Sequence, residues 1–236
     1  MTLYPRKDVI LHSSIPEIVI NYMCLLFSLC VHEASHAAMA DRCGDPTGRL
    51  LGRVSLNPMR HADPIGTVIL PLFAMITGFR FFIGWAKPVP FNPRNLRNRR
   101  RDPVLIALAG PASNLLVALF AAVVLRVVAQ FAGAMVDSPV LPLLLVIFIT
   151  LIGINIMLMV FNCLPIPPLD GYHLLDYFLP PSAREFVDRF GPYSMLFLML
   201  IVFNTRILQI PMEFLNKGIL YLAFAGTPLY SAFMGH

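Results

Sequence analysis

The sequence predicts an all-α, polytopic membrane protein with about four to six membrane segments. Three observations carry that prediction. Of 236 residues, 57% are hydrophobic and only 13% charged, with a mean hydropathy of +0.72. Soluble chains carry about 25% charged residues, so this chain has half the charge needed to clothe a water-facing globule, and it is too apolar for disorder. Second, the runs 103–125 and 139–169 contain no Asp, Glu, Lys, Arg or His. A bilayer core about 30 Å thick needs roughly 20 such residues in helical form. Third, the net charge of +5 sits in the loops between such runs.

Residues 1–14 form a polar N-terminal segment, and 15–236 read as one integral-membrane domain. The first apolar run, 15–40, is not expected to be a cleavable signal peptide. It holds His32, Glu33 and His36 where small residues would mark a cleavage site. The second run is 65–85, followed by 103–125 and 139–169. Two weaker runs, 190–204 and 218–234, flank Arg206, Pro211 and Glu213, and read as a broken C-terminal hairpin over 190–236.

Between the second and third runs lies loop 86–102, AKPVPFNPRNLRNRRRD, with Lys87, Arg94, Arg97, Arg99, Arg100 and Arg101. Beside a membrane span such a cluster sets topology rather than binding nucleic acid, which places the loop in the cytoplasm and the chain in the cell membrane. Loop 41–63 carries Arg42, Arg49, Arg53 and Arg60. If both loops are cytoplasmic, 65–83 is a re-entrant element, for which Gly66, Pro71 and Gly78 are suited. Crossing and re-entrant topologies both stay open at this point. Cys24, Cys30, Cys43 and Cys163 make neither a CxxC pair nor a disulfide framework. No repeat is visible, and there is no room between the runs for a nucleotide-binding or recognition domain.

The informative stretch is LCVHEASHAAMA, residues 29–40. His32 and His36, four apart, lie about 40° apart on one helix face and can share one ion. Zinc accepts imidazole nitrogen, and Glu33 stands where it can take a proton from the attacking water, as in HExxH hydrolases. Ionisable residues inside a membrane are costly unless paired, and three with metal spacing point to a site. A third ligand is required, with His61, Asp63, Asp170, His173 and Asp176 as candidates. Asp170 stands out because it ends the long uncharged run in NCLPIPPLDGY, where Pro165, Pro167 and Pro168 break the helix. His173 and Asp176 read more simply as interfacial residues.

HEASH followed by NCLPIPPLDG resembles the site-2 protease family of intramembrane zinc metalloproteases. LNPMRHADPIGT at 56–67, GWAKPVPFNP at 84–93 and AGPASN at 109–114 resemble its compact prokaryotic branch, which lacks PDZ and CBS modules. The likeness covers roughly residues 20–180, the expected catalytic core. It implies one zinc per chain held by His32, His36 and Asp170, with Glu33 as general base. It also implies that Asn162 holds substrate backbone or the oxyanion, although an interhelical hydrogen bond would equally explain it. For Asn155 and Asn114 the structural role is preferred, and the small residues around AGPAS read as helix packing. His61 and Asp63 are either neighbours of the metal ligands or a cap on the next segment.

The implied activity is hydrolysis of a peptide bond in or beside a transmembrane segment of a membrane-protein substrate. Such a helix must unwind before cleavage, and segment 84–93 would offer it an edge strand or serve merely as a linker. Two other classes compete. A metal or proton transporter would use the same buried ionisable groups, and an inactive scaffold would bind helices without cutting them. The transporter does not explain the Glu beside the first His, and the scaffold does not explain why ligands and base are all present. A membrane hydrolase acting on a bond other than a peptide is a further, weaker option. The substrate and oligomeric state are not legible.

Overall fold

The computed structural model describes residues 15–77, 85–204 and 207–234; the polar segment 1–14 lies outside them. Every regular element among the described residues is helical. Helix α1 is Ile15–Arg42, with Glu17 in its first turn and Arg42 in its last, the polarity that suits the helix dipole. A single turn, α2 (Thr47–Leu50), follows. A π-helical turn, Pro64–Ile69, then leads into α3 (Leu70–Thr77). After loop 85–101 come α4 (Asp102–Gln130), α5 (Val140–Asn162) and the short α6 (Asp170–Phe178). Helices α7 (Pro181–Asn204), α8 (Gln209–Phe224) and α9 (Tyr230–Met234) complete the chain.

Among the described residues three helices, α1, α4 and α5, are long and apolar enough to cross a bilayer. The sequence led to an expectation of four to six. Of the run 65–85, residues 78–84 lie outside the described ones, and the described part begins with a break. Asp63 accepts from the amides of Ile65 and Gly66 at 3.0 and 2.7 Å, Pro64 starts a π turn, and α3 adds only eight residues. Hydropathy counts the apolar residues there but not the break. Likewise α5 stops at Asn162, before the prolines, not at 169. Over the expected hairpin 190–236 lie α7, of 24 residues, and α8, of 16, neither among the helices that combine the length and hydropathy of a span.

Helix α4 is the centre of the packing, in contact with α1, α5, α6 and α8. Ala118, Ala121, Ala122, Leu125 and Ala129 repeat at helical spacing along one face and meet Ile152 and Ile156 of α5 and Ile219, Ala223 and Phe224 of α8. Small residues let the backbones approach closely, which is how apolar helices associate where lipid removes the hydrophobic drive. The opposite faces are apolar too. Ile15, Val19, Met23 and Phe27 form an exposed stripe on α1, and Leu116, Phe120, Val123 and Val127 are exposed on α4. In water such patches would be a liability; against acyl chains they are the ordinary surface.

The two basic loops are fastened to each other. Asp45, fully buried, accepts from Thr47 Oγ1 at 2.6 Å, Asn95 Nδ2 at 2.8 Å and the Asn92 amide at 2.7 Å. The Arg97 amide donates to Cys43 O at 3.0 Å. Arg53, also buried, donates to the carbonyls of Arg60 and Lys87. The Trp85 amide donates to Gly66 O at 3.1 Å and the Lys87 amide to His61 O at 2.8 Å. Residues 85–87 are therefore tied to 61–67, and of the two readings of 84–93, edge strand or linker, no strand is found over its described residues 85–93.

Burial pushes the Asp45 carboxyl up, but the hydrogen bonds from Thr47, Asn95 and Asn92 outweigh it and hold the group below the usual carboxylate range. Stability from a lowered carboxylate is complete above its unfolded-state pKa and is lost as pH falls through the lower folded value. Asp45→Ala, which strands these donors, is expected to cost about 1–3 kcal/mol at neutral pH. Thermal unfolding in detergent should show that difference, and it should shrink on acidification below the carboxylate range.

Candidate metal centre

His32 and His36 sit one turn apart near the end of α1, and Asp170 is the first residue of α6. The structure brings these three together from opposite ends of the core. One ligand atom from each lies within 4.8 Å of the others. The two Nε2 atoms are 3.0 Å apart, His32 Nε2 is 3.1 Å from Asp170 Oδ2, and His36 Nε2 is 3.4 Å from Asp170 Oδ1. The side chains of His32, His36 and Asp170 are 6%, 11% and 19% exposed.

The outer nitrogens decide what the inner ones carry. His36 Nδ1 lies 2.7 Å from Ile106 O, a pure acceptor, so it is the protonated nitrogen. His32 Nδ1 lies 2.6 Å from Asn114 Oδ1, and the Asn114 amide points its Nδ2 to Asn155 Oδ1 at 2.8 Å. Asn155 Nδ2 in turn donates to Ser28 Oγ at 2.8 Å and Leu151 O at 2.8 Å, and Ser28 donates to Cys24 O at 2.7 Å. Ser28, Asn114 and Asn155 are fully buried. The chain of donors is consistent only if His32 Nδ1 carries a hydrogen. With each Nδ1 engaged by its outer partner, the two Nε2 atoms are the ones left to face each other and the carboxylate. Asp170 Oδ2 is buried without a hydrogen-bond donor. Two imidazole nitrogens and one carboxylate oxygen converging on one point fit a divalent cation, and that donor set fits zinc.

Helix α4 supplies the backing. A Cβ on Gly110 would lie 2.5 Å from His32 Cε1 and 2.5 Å from His36 Nε2. Ser113 donates to Gly110 O at 2.7 Å, and Pro111 leaves Ala107 O without its usual helical donor. Gly110 and Asn114, four apart on one face, thus make room for both rings and orient one of them. The sequence reading gave Gly110 a packing role and Asn114 and Asn155 interhelical hydrogen bonds; the structure has the Asn114–Asn155 bond between α4 and α5 and adds one from His32 to Asn114. The Gly–Pro–x–x–Asn spacing was the available signal. On α6, Gly171 is required, since a Cβ would overlap the Cys163 carbonyl and come within 2.5 Å of Leu164 O.

The other candidates fall elsewhere. His61 is buried with Nε2 2.7 Å from Ser55 O, and Asp63 caps the π turn. His173 and Asp176 lie along α6 in a separate cleft. Glu33 is half-buried, next to His32. Asn162 closes α5, and its Nδ2 donates to Leu158 O at 2.9 Å, which leaves it a second N–H.

The comparisons agree with this chemistry. The chain is 37% identical over 191 residues to the Bacillus subtilis protein named "Putative zinc metalloprotease YwhC", covering 80% of this chain and 82% of that one. The chain belongs to this family of zinc metalloproteases. It is also 32% identical to Rip2 of Mycolicibacterium smegmatis over 161 residues, 68% of this chain and 57% of Rip2. With Rip2 of Mycobacterium tuberculosis H37Rv the identity is 30% over 176 residues, 75% of this chain and 63% of the relative. Both Rip2 proteins carry the same zinc metalloprotease name. No family model and no solved structure matches the chain.

As a metalloprotease of this family, the protein should lose metal with Asp170→Ala, measured as zinc content after purification. Gly110→Ala is expected to do the same by displacing the rings, whereas Ser113→Ala should retain zinc. Asn114→Ala should weaken zinc affinity about 10–100-fold, the usual effect of removing a ligand's hydrogen-bond partner. Competition with a chelator of known affinity would measure it.

Proposed function

We propose that the protein is a site-2-type intramembrane zinc metalloprotease, hydrolysing a peptide bond in or next to a transmembrane segment of a membrane-protein substrate. The observation that carries this reading is the convergence of His32, His36 and Asp170 from a membrane-length helix and the proline-broken segment after another. The family membership supports the hydrolytic class.

Zinc held by His32 Nε2, His36 Nε2 and the Asp170 carboxylate would polarise the scissile carbonyl and acidify the attacking water. Glu33 takes the proton from that water on its carboxylate and gives it to the leaving amine nitrogen. The free N–H of Asn162 steadies the negative charge that develops on the carbonyl oxygen. Asn114 and Ile106 O keep both imidazoles in the tautomer that leaves Nε2 unprotonated. The substrate is an unwound segment of a single-pass or multi-pass protein, because a helical carbonyl is shielded by its own hydrogen bond.

The hydrogen bonds that join loops 41–63 and 86–102 support a topology in which both face the cytoplasm and 65–83 re-enters. The same basic loops favour the cell membrane by the positive-inside rule.

In proteoliposomes holding a model transmembrane substrate, Glu33→Gln is expected to keep about one zinc per chain. It should cleave about 10²–10⁴-fold more slowly than the unaltered protein. Equal turnover by the variant would remove Glu33 from the mechanism. Zinc transport across the same vesicles without any cleavage would instead establish the transporter.

A further inference from the structure

One cleft lies outside the metal centre. It encloses about 460 Å³ where the start of α4 meets α6 and α7, and its polar lining is Arg99, Arg100, His173, Asp176, Tyr177 and Arg184. That volume is in the range of small-molecule sites, roughly 300–1,000 Å³. Three guanidiniums face it against one carboxylate.

The arginines are placed rather than trailing. Asn98 Oδ1 accepts from the Arg100 and Arg101 amides at 3.1 and 2.9 Å, and Asp102 Oδ2 accepts from the Asn98 amide at 2.7 Å, winding the basic run into a capped turn. Arg100 lies over the Tyr177 ring, 4.9 Å from its centroid. Arg184 is held by the Asp176 carboxylate at 2.9 Å and by Asp176 O at 2.6 Å. Asp176 is thereby engaged with Arg184, while Arg99 and Arg100 supply the uncompensated charge.

Two further features identify the ligand. The cleft is at the very end of the spanning helix α4, the depth at which phospholipid headgroups lie. On α6, His173 and Tyr177 face the cleft. Their immediate successors Leu174 and Phe178 form the next stripe and are 41% and 73% exposed. A polar cavity for a phosphate and an exposed apolar stripe for a chain stand side by side on one helix.

We propose that this cleft binds the headgroup of an anionic phospholipid, its phosphate between Arg99, Arg100 and Arg184 and an acyl chain along Leu174 and Phe178. The inference is independent of the hydrolytic reading, and its test reads lipid, not cleavage. The full chain, purified in micelles containing phosphatidylglycerol or phosphatidylcholine, is examined by native mass spectrometry. Phosphatidylglycerol adducts should survive and phosphatidylcholine adducts should not.

Arg99→Gln/Arg100→Gln should lower phosphatidylglycerol affinity roughly 30-fold, about fivefold for each basic residue lost. Arg94→Gln/Arg97→Gln removes the same charge from the same loop outside the cleft and should have a markedly smaller effect. Zinc content and elution profile confirm that each variant is folded. Equal losses in the two double variants, or none in either, would overturn the built site in favour of diffuse attraction. Retention of inorganic phosphate without retention of phosphatidylglycerol would overturn the lipid assignment.

Discussion

Two imidazole nitrogens and a carboxylate converge on one point within a bundle of apolar helices, a costly burial of polar groups that needs a partner for each. Much of the molecule is organised around tolerating that convergence. Helix α1 brings both histidines to one face, the prolines after α5 stop the helix so that Asp170 can turn inward, and α4 closes the back. The carboxylate's buried Oδ2 lies 3.1 Å from His32 Nε2, so the first and last parts of the site meet there. Metal binding and association of α1 with α6 are on this view the same event, so binding free energy is also assembly free energy.

Helix α4 does two jobs with one chemical strategy. Its alanines admit α5 and α8, and its glycine at 110 admits the histidine rings. Only one long polar side chain, Asn114, is buried among them near the site, and it is satisfied on both ends. A buried amide with a single free donor would cost more than it contributes. The run from His32 to Ser28 avoids this by passing each donor to the next acceptor, which also locks the packing of α1, α4 and α5 into one register.

The parts of the site legible in the sequence are those whose signal is local. His32, Glu33 and His36 announce themselves by helical spacing, and Asp170 by being the first charge after an uncharged run. Gly110, Asn114 and Asn155 act only through contacts between helices, and a glycine or asparagine in a span has many packing uses. The helical class was legible from composition, but the break at Asp63 and Pro64 was not, because it leaves the apolar content of the segment unchanged. The pairing of loop 41–63 with 86–102 was likewise invisible, since Asp45 and Asn95 lie far apart in the chain and carry no periodicity.

The division of the ligands between α1 and α6 has a consequence for how the protein is made. A nascent chain emerges with α1 first, so the histidines and Glu33 enter the bilayer while α4 and Asp170 are still to be synthesised. Until then no glycine face receives the rings and no carboxylate completes the ligand set. The ligand cluster is completed last, when Asp170 joins the two histidines. A newly made α1 therefore carries two ligands that no third one yet joins.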